Sequence, residues 1–79
     1  MALKQIASIQ FIDTEQDQEA VVIVRASKKT IAIAISLKDD GDAEVFMSQQ
    51  DGLRLFQAIK EAMTFASAEE SVGEGVSSQ

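Results

Sequence analysis

Thr30-Ile31-Ala32-Ile33-Ala34-Ile35-Ser36-Leu37 alternates without a break. Ile31, Ile33, Ile35 and Leu37 fall on one side of an extended chain, and Thr30, Ala32, Ala34 and Ser36 on the other. A period of two over eight residues predicts a β-strand with one strongly apolar face. Downstream, Lys38-Asp39-Asp40-Gly41-Asp42 reads as a turn, with Gly41 free to take a positive φ. A short strand over Ala43–Met47 follows. The period then changes: Gly52, Phe56, Ile59 and Met63 recur at helical spacing, with Leu55, Ala62 and Ala66 beside them. Ser48 stands three residues before Asp51, close to a capping box. The spacing predicts a helix from about Gln49 to about Ala66.

Upstream, Ser27-Lys28-Lys29 makes a short turn, and Ala20-Val21-Val22-Ile23-Val24 is apolar at every position, as expected of a central strand covered on both faces. Asp13–Gln18 is a polar break. Lys4–Ile12 alternates loosely and predicts a first strand. The expected fold class is α+β: a four-stranded antiparallel sheet followed by one C-terminal amphipathic helix packed on one face. Residues 1–66 form a single ββββα domain in this reading, and 67–79 a disordered acidic tail.

Composition restricts the chemistry. The 79 residues include no Cys, His, Tyr or Trp. A disulfide scaffold is excluded, and structural zinc in so small a protein draws on the two residue types it lacks. Acid–base or nucleophilic catalysis would fall to carboxylates in turns, lysines, or unassisted hydroxyls, and no triad can be built. The expectation is a chain that is not an enzyme, with no catalytic residues, metal ligands or cofactor. Asp39-Asp40-Gly41-Asp42, with Glu44 beyond, offers oxygens to calcium but lacks the EF-hand spacing, so it is read as a solvated turn. No clustered glycines precede the helix to cradle a phosphate. No apolar run approaches a membrane span and no signal peptide is visible, so the chain is expected to be cytoplasmic, away from membranes.

The net charge of −6 opposes non-specific binding to nucleic acid. The acidity is uneven, however: residues 1–38 carry +1 and residues 39–79 carry −7. Arg25, Lys28, Lys29 and Lys38 are the candidate nucleic-acid contacts, set against the plainer reading of solubilising charges at strand ends. A single helix covers only one face of a four-stranded sheet, and the second strand has no polar face. An uncovered apolar patch on the other side calls for a partner, most simply a second copy. Val22, Val24, Ala32 and Ala34 are the candidate self-association face, and a homodimer, or contact with another protein, the expected assembly.

Between Ala20 and Met63 the order of elements resembles the single-stranded-DNA-binding transcriptional regulator fold. That group includes the positive-cofactor-four coactivator domain, the Whirly proteins and the Pur repeats. The residues carrying the likeness are Thr30–Asp42, the short strand ending Met47-Ser48, and the helix with Leu55, Phe56 and Ile59. The resemblance implies a curved sheet, dimerisation through the helix and nucleic acid on the sheet face. This chain lacks the dense lysines and arginines of that group. Two functions remain: a non-enzymatic homodimeric interaction module, or a weak single-stranded nucleic-acid binder acting as a transcription co-regulator.

Overall fold

A computed structural model describes residues 2–72, with side chains described through 68. The elements run β1 (Lys4–Ile12), β2 (Glu19–Ala26), β3 (Thr30–Leu37), β4 (Gly41–Ser48) and α1 (Gln49–Val72). The α+β class follows: an open antiparallel sheet, then one helix. β1 and β3 have the bounds their alternation predicts, whereas β2 and β4 are longer than expected at both ends. The chain divides into two compact units, Met1–Gln49 and Gln50–Gln79.

In the first unit the strand order is β1-β2-β3-β4, so every strand pairs with its neighbour in sequence. Register follows the patterning. Ile35 lies opposite Val22 and Ala43, and Ile33 opposite Val24 and Val45. On the far side of β2, Val22 pairs with Ile9 and Ala20 with Phe11. Residues directly opposite share a face. One face therefore carries apolar side chains from all four strands, and β3 supplies its isoleucines. Near its corner sits Lys4, opposite Ala26, where the register shifts between Gln5 and Ala7 and leaves Ile6 as a bulge.

Three turns set that register. Asp13 organises the first: its backbone N–H donates to the Gln18 carbonyl at 2.9 Å, and its own carbonyl accepts from the Asp17 N–H at 2.8 Å. Its carboxylate accepts from the backbone N–H groups of Glu15 and Gln16, at 2.8 and 2.9 Å. Asp17 takes φ 57°, a region that Asp tolerates better than most residues. In the second turn the Ser27 N–H donates to the Thr30 carbonyl at 2.9 Å. The third leaves Lys38, Asp39 and Asp40 between the pair Leu37 and Gly41. Gly41, which closes this loop, has φ 88°, a region glycine enters without a Cβ penalty. Gln18 ties the first turn to the third: its amide donates to the Asp40 carboxylate at 3.0 Å and accepts from the Asp39 N–H at 3.1 Å.

The second unit is α1. Asp51 lies in its first turn, where a negative charge complements the N-terminal end of the helix dipole. Asp51 also meets Arg54 at 3.4 Å, one turn on. Lys60 places its ammonium 5.2 Å from the Phe56 ring centroid, and the Thr64 hydroxyl donates to the Lys60 carbonyl at 3.1 Å. The helix continues to Val72, beyond the expected boundary near Ala66. Residues 67–72, read from sequence as the start of a disordered tail, are helical; Ala68, Glu69 and Glu70 are all strong helix formers. The remainder of the expected tail, 73–79, lies outside the described residues. Among the described residues no helix is long and apolar enough to cross a membrane.

Candidate functional site

The two faces of the sheet differ sharply in chemistry. The isoleucine face is contributed by Ile9 and Phe11, Val22 and Val24, Ile31 to Leu37 on alternate residues, and Val45 and Met47. These side chains are partly open to solvent: Ile35, on a central strand, is 46% exposed, and Val45 on the edge 55%. The opposite face mixes Gln5, Ser8, Gln10 and Ile12 of β1 with Glu19, Val21, Ile23 and Arg25 of β2. On β3 and β4 it carries Thr30, Ala32, Ala34 and Ser36 beside Asp42, Glu44, Phe46 and Ser48.

Arg25 and Glu44 organise that second face. Arg25 pairs across to Ala32 on β3, and Glu44 pairs across to Ala34 from the other side. The guanidinium reaches diagonally over β3 and meets the Glu44 carboxylate at 2.8 Å. Small side chains at 32 and 34 leave the space for this crossing. Ala32 sits in one cross-strand row between Arg25 and Phe46 and is fully buried. Phe46 itself is 60% exposed.

This register corrects the expected self-association face. Val22 and Val24 stand opposite Ile35 and Ile33, on the isoleucine face. Ala32 and Ala34 stand opposite Arg25 and Ile23, on the other. The four residues do not share one surface. The signal was present in β2: Glu19 and Arg25 are in phase with Val21 and Ile23, and charged ends mark the face that water reaches. The true apolar surface joins Val22 and Val24 to the β3 isoleucines. The expectation that β2 is covered on both faces also gives way, because Val21 lies between Gln10 and Ser36, Ile23 lies between Ser8 and Ala34, and both remain partly exposed.

Nor do the basic candidates form one patch. Lys28 and Lys29 occupy the β2–β3 turn and are exposed. Lys38 follows β3, at the opposite end of the sheet, where its backbone N–H donates to the Glu19 carbonyl at 3.0 Å. Arg25 is engaged by Glu44. Lys28 and Lys29 remain the adjacent pair of exposed cations, at the end of the sheet where Arg25 and Phe46 share a row.

The helix presents a second apolar surface, described by itself. Phe56, Ile59 and Met63 follow one stripe, and Phe56 and Ile59 are 56% and 50% exposed. Gly52, Leu55, Ala62 and Ala66 fall on the same side of the helical wheel. Arg54, Gln57, Lys60, Glu61 and Thr64 share the rest of the circumference with Leu53 and Phe65, both exposed.

No family model, curated protein or solved structure matches the chain.

Proposed function

We propose that this chain is a non-enzymatic homodimeric interaction module that associates through the isoleucine face of its sheet. The observation that carries this reading is the composition of that face. Every strand contributes apolar side chains to it, and one of its central members, Ile35, is nearly half exposed in the single chain. Contiguous apolar surfaces beyond a few hundred Å² mark interaction sites on soluble proteins. Burying one such side chain gains about 1.5–3 kcal/mol, and the gain is non-directional, so a self-complementary two-fold contact can collect it from both copies.

Sedimentation equilibrium tests the reading. The native chain is expected to be a dimer at micromolar concentration. Ile35→Glu places a charge at the centre of the face and should weaken the dimer by more than about tenfold. Ala34→Ser, one residue along but on the opposite face, should leave it unchanged. A native chain that stays monomeric at high concentration, with no uptake of an apolar dye, overturns the proposal.

A second reading, a weak single-stranded nucleic-acid binder or transcription co-regulator, draws support from one cluster. The exposed Phe46 ring shares a row with Arg25 and lies toward the Lys28–Lys29 turn. Single-strand binders combine aromatic platforms with cations in this way. Fluorescence anisotropy of a labelled oligonucleotide checks it. Binding should weaken as salt rises, and Lys28→Glu/Lys29→Glu should lower affinity across sequences. An unchanged affinity in that double variant removes these lysines from the account.

A further inference from the structure

Each copy of the chain carries two apolar surfaces, the isoleucine face and the α1 stripe. We propose that, in the dimer, the stripe of each copy's α1 seats on the isoleucine face of the other copy, reciprocally. The inference rests on the homodimer reading and specifies what occupies the face.

Area is the first argument. Four strands about 4.8 Å apart, with about 3.3 Å per residue, make a face of roughly 500 Å², so two faces apposed bring together about 1,000 Å². A stable interface buries about 1,200–2,000 Å², and obligate homodimers bury more. As a flat footprint the face alone lies just under that range, and a face-on-face contact leaves the apolar stripe of each helix in water.

Symmetry is the second. A two-fold contact of face on face uses one apolar surface per copy and leaves both stripes in water. A contact of helix on helix leaves both faces. Exchange of helix onto face uses both surfaces of both copies in one closed assembly, and its two contacts are equivalent by the two-fold axis.

Dimensions agree. From Gly52 to Ala66 the stripe is about 21 Å long at 1.5 Å per residue. That lies within the roughly 25 Å length of the strands. Along it Gly52 precedes Leu55, Phe56 and Ile59, and Ala62 and Ala66 flank Met63, so it offers both ridges and gaps to the β-branched side chains of β3.

Connectivity favours the other copy as donor of the helix. β4 ends at Ser48 and α1 begins at Gln49. Elements that pack on one another within a domain are commonly joined by about 2–6 connecting residues. The chain has none at this junction.

The test is an isotope-filtered NOE experiment on the full chain. A copy with labelled isoleucine methyl groups is mixed with an unlabelled copy, and contacts between the two are selected. Intermolecular NOEs from the Ile33 and Ile35 methyls to the Phe56 ring are expected. The labelled Ile59 methyl should give intermolecular NOEs to Val45 and Met47. Intermolecular NOEs confined to face against face, or to helix against helix, overturn the exchange while leaving the homodimer intact. NOEs between Ile35 and Phe56 seen only within one chain overturn it too, as does a dimer in which the face isoleucines show no intermolecular NOE. A monomer by sedimentation removes the homodimer reading itself, and this inference with it. Ile59→Glu gives an independent check. It should weaken the dimer about as much as Ile35→Glu, and a dimer of native strength in Ile59→Glu counts against the exchange.

Discussion

Gly41 has φ 88°, and a Cβ built there meets nothing within 4 Å. The cost of a side chain at this position is therefore backbone strain alone. Gly41→Ala should destabilise the protein by about 1–2 kcal/mol, read as a lower urea midpoint with an unchanged slope. Asp13 shows a different kind of local control. Hydrogen bonds from the backbone N–H of Gln16, and then of Glu15, hold its carboxyl below the ordinary value of 3.8. The ionised form is thus favoured by the folded loop. Its contribution is fully present above 3.8 and is lost as pH falls through the lower native value. By NMR Asp13 should titrate below the ordinary value of 3.8, with Glu15 and Gln16 amide exchange rising as it protonates. Asp13→Asn should keep the loop, because the amide oxygen accepts the same bonds, and abolish that acid-side change. The Arg25–Glu44 pair is about one-third exposed at both partners, so solvent screens it. Glu44→Gln should cost less than about 1 kcal/mol, and the cost should shrink with added salt.

At the level of the strand, neighbouring valines in β2 provide a direct test of register. Val22 faces Ile9 and Ile35, and Val21 faces Gln10 and Ser36. Val22→Thr puts a hydroxyl among apolar side chains, at a cost of about 1–3 kcal/mol, whereas Val21→Thr should stay within about 0.5 kcal/mol. Thermal unfolding of the two variants separates them, and equal losses would reverse or blur the face assignment. The same strand shows where the sequence stops being legible. β3 announces itself because its two faces differ in size at every step. β2 is apolar throughout its centre, so periodicity cannot say which valines join the isoleucines. Its pairing depends on the Ser27–Thr30 turn, which carries no Asn-Gly signal to set the phase. Only Glu19 and Arg25, at the strand ends, report the outward face. The helix start is legible from Ser48 and Asp51, whereas its end is not, because no glycine or proline interrupts residues 67–72. The basic residues were legible as residues and not as a site: Lys28 and Lys38 are ten positions apart in sequence and a strand length apart in space.

For the molecule as a whole, a net charge of −6 on each copy makes like copies repel. Screening relieves that repulsion, so the dimer should tighten as salt rises from low to moderate concentration. Binding of an anionic strand must respond the other way. One salt series read by sedimentation and by anisotropy therefore separates the two functional readings by sign. Topology carries a further consequence. Each strand of the β1-β2-β3-β4 sheet pairs only with the strand next to it in sequence, across turns of a few residues. Few sheet contacts span a long stretch of chain, and closing short loops costs little entropy. Refolding of the sheet should accordingly be fast for a β-structure, and its rate should depend on the tight turns. During synthesis, β1, β2 and β3 can already be paired before β4 has left the ribosome. Most of the isoleucine face is then assembled, and open to water, before the helix that follows β4 has emerged.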